Sequence, residues 1–455
     1  MIMMKRLSII ILSVGMFLPI SAQKIYTLKE CRELAMQNNI RIRDARLGVS
    51  QAQETEKNAF SKYLPTVTAS ALCFQSNDYL MKKDFSLSAA DQSKLGSVVS
   101  QLGLNPVALA SLPSSYSFNL LKHGALGQVM AMEPIYAGGQ ITNGNKLAKL
   151  QTEVKKLQIR QSEDEVVSST ETYYNQLLTL FGKLRTINMA DNQLQRIHKD
   201  AENAYKAGIS TKKDMLTVEL KQNELYGNRL KVENGIKLCK MALAQYIGKN
   251  GDEIMIDTTL TDEILEPSAY LVDHVSALNN KVEAQLLDKN VEANKLQTKL
   301  KKGALMPTLS VGAVGVYQNM MGSGQANVIG LATLSVPISG LWSDNHLVKH
   351  QKIAEQIARQ DRDDNRQLLI IQMQSAYNDF DNSYKQILVA RKSIEQSTEN
   401  LRLNEDYYKA GTATMSDLLD AQTSNEQSLD KYTETVCNYL DCKTAYFIAT
   451  GRSVE

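Results

Sequence analysis

The chain repeats the tetrapeptide Tyr205-Lys206-Ala207-Gly208 as Tyr408-Lys409-Ala410-Gly411, an offset of 203 residues (205 to 408). The same offset relates further identical residues in the two halves: Pro134 and Pro337, Tyr174-Asn175 and Tyr377-Asn378, Asp214 and Asp417, Leu216 and Leu419, Cys239-Lys240 and Cys442-Lys443, and Gly248 and Gly451. A constant offset leaves no room for an insertion between the first and last of these pairs. The chain is therefore an internal duplication.

Upstream of Pro134 and Pro337, the two copies correspond at a different offset, of 242 residues. The matching pairs are Pro65-Thr66 and Pro307-Thr308, Ala35 and Ala277, and Asn38 and Asn280. The first copy thus contains 39 extra residues (242 less 203), which fall at about 76–122. Loops accept insertions more readily than cores do, so we expect a long loop there.

Both copies have the same predicted order of elements: a helical segment, two β runs, a very long helix, a glycine turn and a return helix. In the first copy these are residues 28–61, 65–75 with 126–136, 145–206 and 215–247; in the second they are 276–302, 307–317 with 328–338, 346–409 and 415–450. We therefore predict a first structural repeat at 23–248, a linker at 249–267 and a second repeat at 268–455. The β-hairpins fall at about 65–136 and 307–338, and the helical hairpins at about 138–247 and 342–450.

The β runs have the length and pattern of membrane strands. Each has about 10–12 residues, enough for a tilted strand to cross a bilayer. In the last run one face has Val328, Gly330, Ala332, Leu334, Val336 and Ile338, and the other has Thr333 and Ser335. The prolines Pro65, Pro134, Pro307 and Pro337 are predicted at the strand ends nearest the helices, where a missing N–H does little harm. An ordinary soluble β-hairpin in each copy is the alternative.

The long helical segments predict coiled-coil hairpins. A continuous helix over 145–206 would measure about 90 Å, too long for a compact domain. Apolar side chains recur along it at spacings typical of a coiled-coil seam, with polar residues at two seam positions. The apolar set is Tyr173, Leu177, Leu180, Leu184, Ile187, Leu194, Ala201 and Tyr205, and the polar pair is Asp191 and His198.

The N-terminus predicts export. Residues 1–22 have a basic start with Lys5 and Arg6, a short apolar run, and small residues at Ser21-Ala22, which together indicate a cleaved signal peptide. Its apolar run is shorter than the ~20 residues of a spanning helix. Removal of Lys5 and Arg6 leaves 49 of the 51 Lys+Arg against 49 Asp+Glu. A near-neutral mature chain argues against nucleic acid as a partner.

The sequence contains no pattern typical of a catalytic or metal site. No Ser-His-Asp or Cys-His arrangement, phosphate-binding glycine loop or metal-ligand constellation is present, so we predict neither an enzyme nor a cofactor or metal. Five cysteines are too few for a disulfide-built fold. Cys239 and Cys442 occupy equivalent positions and are expected to pack as small apolar side chains. A disulfide between them is the alternative in an oxidising compartment.

The whole mature chain resembles the TolC family of outer-membrane efflux proteins. The resemblance rests on the duplication, the proline-flanked β runs and the motif Ala410-Gly411-Thr412-Ala413-Thr414-Met415-Ser416-Asp417-Leu418-Leu419-Asp420-Ala421. It implies a mainly α fold with membrane β: a homotrimer whose helices form a periplasmic α-barrel and whose strands form one 12-stranded barrel in outer-membrane lipid. It also implies an exit duct that docks on a periplasmic adaptor and an inner-membrane transporter. The cargo and the transporter class are not readable from the sequence.

The resemblance also implies functional residues at the helical-hairpin tips. Asp417 and Asp420 lie three apart on one helix face and would form a gate and selectivity ring at the periplasmic entrance, where six carboxylates of a trimer would bind cations. For Asp417 the alternative is a capping box with Thr414, as Thr211 and Asp214 also suggest.

Two further pairs complete the predicted site. Asp214 and Tyr408 resemble the family's contact that closes the inner hairpins, and Gly208 and Gly411 mark the turns that contact the adaptor. Where the family often has an Arg, this chain has Ala413, so the resemblance does not extend to a second closing contact. Lys212 and Lys213 are either its substitutes or solvated side chains. A competing function is a coiled-coil structural tether of the envelope without a pore.

Overall fold

The computed structural model describes residues 24–86, 88–102, 115–120, 122–249, 254–260, 264–320 and 324–453. The predicted signal peptide at 1–22 lies outside these ranges. The protein is mostly helical with a few antiparallel strands, which confirms the predicted fold class. No helix in the described ranges is both long and apolar enough to cross a membrane.

The helices are α1 (Leu28–Asn38), α2 (Ile40–Ser61), α3 (Ala89–Gln101), α4 (Gln140–Lys206), α5 (Lys212–Ile247), α6 (His274–Ala277), α7 (Val282–Gly303), α8 (Asp344–Lys409) and α9 (Met415–Ala449). The strands are β1 (Ile25–Tyr26), β2 (Thr66–Gln75), β3 (Met81–Ser86), β4 (Ser115–Leu120), β5 (His123–Ala137), β6 (Met255–Ile256), β7 (Thr308–Asn319) and β8 (Gly324–Ser335). The long helices and their return helices begin and end within a few residues of the predicted positions.

The helical segment predicted at 28–61 is two helices. Asn39 separates them in an extended conformation, with φ −65° and ψ 133°. Its side-chain amide donates to the Tyr246 carbonyl at 3.1 Å, and its side-chain oxygen accepts from the Arg41 N–H at 2.9 Å. The second of these bonds satisfies a backbone donor at the beginning of α2, so Asn39 both ends one helix and caps the next.

The described chain forms two compact units. One contains the residues up to Ala52, then 150–292, and those from Ile357 onward, and it is helical apart from the short parallel pair β1–β6. The other contains residues 53–149 and 293–356 and holds the four-stranded sheet with the adjoining helix ends.

The sheet has the strand order β2-β5-β7-β8, with every neighbouring pair antiparallel. The central β5–β7 pair joins the two repeats, a pairing that the separate hairpins did not predict. Pro134 lies three residues before the helix-side end of its strand: β5 continues to Ala137, one residue beyond the predicted run, and the register shifts between Pro134 and Tyr136. A bulge accommodates a proline because it removes the need for a ladder N–H.

The inserted segment of the first repeat has secondary structure of its own, contrary to a simple loop. Met81–Ser86 pairs antiparallel with Ser115–Leu120, and Ala89–Gln101 forms a helix between them. Ser88 caps this helix because its side chain accepts from the Asp91 N–H. Local capping and strand pairing therefore give the described part of this long connection regular secondary structure.

The two faces of the four-stranded sheet differ in composition. Residues directly opposite one another in neighbouring strands share a face. One face is aliphatic or small over most of its area: Val67, Ala69, Ala71, Ala125, Gly127, Val129, Ala131, Leu309, Val311, Ala313, Val328, Gly330, Ala332 and Leu334. The other face is mixed and has most of the hydroxyl and amide groups: Thr66, Thr68, Ser70, Gln128, Thr308, Ser310, Gln318, Gln325, Asn327, Thr333 and Ser335.

The helical unit has its core along the predicted seam of α4. Leu177, Ile187, Leu194 and Ala201 are buried, as expected. The two polar residues of this seam have partners on α5, the return helix of the same hairpin. Asp191 accepts from Arg229 at 3.1 Å, and the Nε2 of His198 lies 3.3 Å from Glu219. Near the tips, α4 and α5 pack with α8 and α9 in one cluster that includes Leu194, Val218, Leu401, Leu418 and Leu419.

Candidate functional site

Both helical hairpins reverse through a glycine in the left-handed conformation. Gly208 has φ 73° and Gly411 has φ 74°. After each glycine the chain bonds back to its helix: Ile209 N–H donates to Ala204 and Thr412 N–H donates to Tyr407, both at 2.9 Å. A residue with a Cβ is strained at such a φ, so the repeated glycines are explained by backbone geometry alone.

Asp417 is held in a capping box at the beginning of α9. Its carboxylate accepts from the Thr414 hydroxyl at 2.6 Å and from the Thr414 N–H at 2.9 Å, while its own N–H donates to the Thr414 hydroxyl at 3.2 Å. The Thr414 side chain and backbone lower the pKa of Asp417, so the group is ionised at neutral pH. The capping interpretation is therefore satisfied within the chain.

Asp420 is exposed one turn further along α9. Its carboxylate has no hydrogen-bond or ion-pair partner in the part of the chain that the structure describes. Leu418 and Leu419 between the two aspartates are buried in the four-helix cluster. Asp417 and Asp420 consequently lie together on the exposed side of the helix.

Asp214 and Tyr408 belong to different hairpins and lie close together. Asp214 closes the equivalent capping box with Thr211 and also accepts from the Ser210 hydroxyl at 2.8 Å. Burial raises the pKa of Asp214, but the bonds from Ser210 and Thr211 outweigh this and lower it. Burial and then the charge of Asp214 raise the pKa of Tyr408, while a hydrogen bond with Ser210 opposes the rise. The tip contact therefore has three members, of which Ser210 gave no sequence signal.

The two lysines beside the first tip differ in their surroundings. Lys213 is exposed, and its charge contributes to the lowered pKa of Asp214. Lys212 is also exposed and has no partner among the described side chains. Neither lysine forms a cross-hairpin ion pair within the described ranges, so neither substitutes, within one chain, for the arginine that the resemblance would place at Ala413.

The sequence analysis did not predict a set of polar contacts between α4 and α9. Asn175 donates to Asp441 at 2.7 Å, and Lys183 lies 2.7 Å from Glu434. Burial raises the pKa values of Glu426, Asp430 and Asp441. The spacing of four residues from Glu426 to Asp430 and on to Glu434 was visible in the sequence, but an acidic stripe on a helix usually faces water.

The two equivalent cysteines are separate free thiols. Cys239 donates to the Tyr173 carbonyl at 3.4 Å and packs at the edge of the α1–α4–α5 core. Cys442 packs at the edge of a different cluster, around Phe380 and Tyr439. The expected apolar packing is thus observed and the alternative disulfide is not. Among the described residues there is no group of three or more side chains suited to hold a metal ion.

Comparisons with known proteins agree on one class of fold. Residues 275–437 match the model of the outer membrane efflux protein family. The chain is similar to the outer membrane protein VceC of Vibrio cholerae, with 15% identity, a TM-score of 0.70, and coverage of 94% of this chain and 97% of that chain. No curated protein sequence matches the chain.

Two further solved structures are similar over most of the chain. The Campylobacter jejuni CmeC outer membrane channel has 13% identity and a TM-score of 0.69, with 93% of this chain and 85% of that chain covered. The Neisseria gonorrhoeae MtrE outer membrane channel, in its open state, has 13% identity and a TM-score of 0.68, with 93% and 89% covered. At these identities the likeness shows the fold.

Proposed function

Because residues 275–437 match the model of the outer membrane efflux protein family, we propose that the chain belongs to that family and is the passive outer-membrane exit duct of a tripartite efflux or type I secretion system. The duct carries small molecules or polypeptides across the periplasm and outer membrane and performs no catalysis. The energy for transport and the choice of substrate come from an inner-membrane transporter, to which a periplasmic adaptor connects the duct.

The sheet is the observation that carries this proposal. Its aliphatic face is open to the surroundings: Val67, Val129, Val328 and Leu334 are each more than half exposed. Contact with lipid acyl chains is favourable for such an aliphatic face, whereas contact with water is not. The mixed, more polar face opposite it suits a water-filled lumen. A soluble hairpin would instead leave this aliphatic surface in water.

The sheet edges support a homotrimer. Within the described residues, β2 and β8 each pair on one side only. Unpaired backbone groups are not tolerated in lipid, so the edges need partner strands. If β2 of one copy pairs with β8 of the next, three copies of four strands close a 12-stranded barrel.

The hairpin tips support the assignment of the periplasmic end. Asp420, together with Asp417, is proposed as the cation-binding gate ring of the trimer. Asp214 and Tyr408 are proposed as the contact that keeps the gate closed. The turns at Gly208 and Gly411 are proposed to contact the adaptor, and Ile209, 84% exposed at the first turn, offers an apolar anchor for it.

Planar-bilayer recording tests the proposed duct. Detergent-purified mature protein, shown to be trimeric by light scattering, is expected to give discrete single-channel currents. A heat-unfolded sample at the same concentration is the control for detergent artefacts. Folded trimers that give no currents would contradict the duct and favour the coiled-coil tether, which needs the long helices but no lipid-facing sheet.

A further inference from the structure

A groove at the end of the sheet-containing unit has a composition that passive conduction does not require. It lies between the end of α2 and the beginning of α4 and has a volume of about 740 Å³. Its two walls are bonded together: Asn145 donates to the Ala59 carbonyl at 2.9 Å, and the Tyr63 hydroxyl donates to Thr142 at 3.3 Å. The groove is therefore pre-formed, with its shape fixed by contacts between the two helices.

The lining of the groove is basic. Lys57, Lys146 and Lys149 line it, against one acid, Glu56. Lys57 lies 2.7 Å from Glu54 and keeps 73% of its side chain exposed. Lys146 and Lys149 are exposed and have no ion-pair partner among the described residues. Because they lie three residues apart on α4, both ammonium groups are on the same helix face and available to one anion.

Two aromatic rings lie beside these lysines. Phe60 and Tyr63 both line the groove, with their ring centroids 5.7 Å apart, and Phe60 is 61% exposed. They come directly before β2, which begins at Thr66. Exposed aromatic rings and lysines next to the end of a membrane strand are typical of the boundary between lipid and water.

We propose that this groove binds the headgroup of an anionic phospholipid from the leaflet on the helical side of the membrane. The phosphate lies between Lys146 and Lys149, within reach of Lys57, and the glycerol and first methylenes pack on Phe60 and Tyr63. Charge complementarity selects an anionic lipid because the lysines outnumber the acid. The inference rests on the proposed function, which puts the helix-joined end of the sheet at the membrane surface.

Lipid retention by the detergent-purified mature protein tests the proposal. Native mass spectrometry is used after addition of phosphatidylglycerol or phosphatidylcholine. Wild type is expected to retain phosphatidylglycerol about tenfold better, and the triple variant K57Q/K146Q/K149Q is expected to lose that preference. The matched control is K299Q/K301Q/K302Q, which removes the same charge from exposed positions on α7 outside the groove. Equal losses in the two triples would indicate diffuse attraction and overturn the proposal.

Two further arms distinguish other occupants. Millimolar inorganic phosphate is expected not to displace the lipid, because it lacks the apolar contact with the rings; full displacement would identify a simple anion site instead.

Lys146→Cys, in a Cys73→Ser background, is expected to react rapidly with a maleimide in lipid-free trimer. Protection without lipid would mean that a neighbouring copy covers the groove, which would also overturn the proposal.

Conductance separates this proposal from the one on which it rests. The K57Q/K146Q/K149Q trimer is expected to give wild-type currents, because a headgroup site at the membrane surface would lie outside the conduction path. Wild-type protein that conducts but shows no lipid preference would overturn the lipid site alone. Folded wild-type protein that forms no channels would overturn the duct.

Discussion

Asn175 on α4 donates a 2.7 Å hydrogen bond to Asp441 on α9, joining the long helix of the first repeat to the return helix of the second. Asn175 is almost fully buried, and burial raises the pKa of Asp441 although the bond from Asn175 opposes the rise. The carboxyl group therefore binds its proton more tightly in the folded protein than in the unfolded chain. This contact makes the stability of the helical unit depend on pH.

The sign of that dependence follows from linkage. Since the folded pKa of Asp441 lies above the unfolded value, the free energy of unfolding is highest below the unfolded pKa and falls as pH rises through the folded pKa. The asparagine in Asp441→Asn stays neutral and can still accept from Asn175. We therefore expect a flatter dependence of the free energy of unfolding on pH, and a gain of about 1 kcal/mol in that free energy at neutral pH. Thermal melts followed by circular dichroism between acid and neutral pH measure it. The exposed Asp364→Asn on α8 is the control, and an unchanged slope in Asp441→Asn would contradict the argument.

Divalent block should separate the roles of the two tip aspartates. Asp420 has no hydrogen-bond or ion-pair partner within the described chain, so Asp420→Ala is expected to keep wild-type stability while weakening block by a divalent cation at the tip side about tenfold. Asp417→Ala is expected to weaken block and also to lower the melting temperature, because it removes the capping box with Thr414. The measurement is single-channel current against cation concentration, beside a melt of each variant. Unaltered block in Asp420→Ala would place the constriction elsewhere.

The Tyr408 hydroxyl should matter for closure. Tyr408→Phe removes the hydrogen bond with Ser210 and keeps the ring against the apolar cluster, so we expect a higher open probability with little loss of stability. Single-channel recording at low voltage gives the open probability. The control is Tyr205→Phe, the equivalent position of the first repeat. If both variants behave alike, the inter-hairpin contact does not set the gate.

The tip glycines should be sensitive to any side chain. Gly411→Ala and Gly208→Ala are each expected to lower stability by about 1 kcal/mol, because an L-residue is strained at these positive φ values although each site has open space around it. Gly227→Ala, inside α5 and also without a clash, is expected to raise stability by about 0.5–1 kcal/mol. Urea unfolding of the three variants tests the pattern. A loss at Gly227 equal to that at Gly411 would show that φ is not the cause.

The tip site was partly predictable because its geometry is local. The turn at Gly411 and the capping box of Thr414 with Asp417 depend on residues within four positions of one another, and each recurs in the other copy. The partner of Tyr408 was predictable only through the resemblance. The addition of Ser210 to that contact required coordinates, because a serine after a glycine turn has no distinctive pattern.

The sequence by itself determined the duplication, the order of elements, the reversing glycines and the fold class, because a helix or strand is defined by residues a few positions apart. Only the tertiary structure decided the β5–β7 pairing of the two repeats, the bulge after Pro134, and the buried contact of Asn175 with Asp441. These features join residues far apart in sequence or depend on which face a neighbouring element covers. Periodicity specifies that a face is apolar or acidic, but the packing of other elements decides whether that face meets protein, lipid or water.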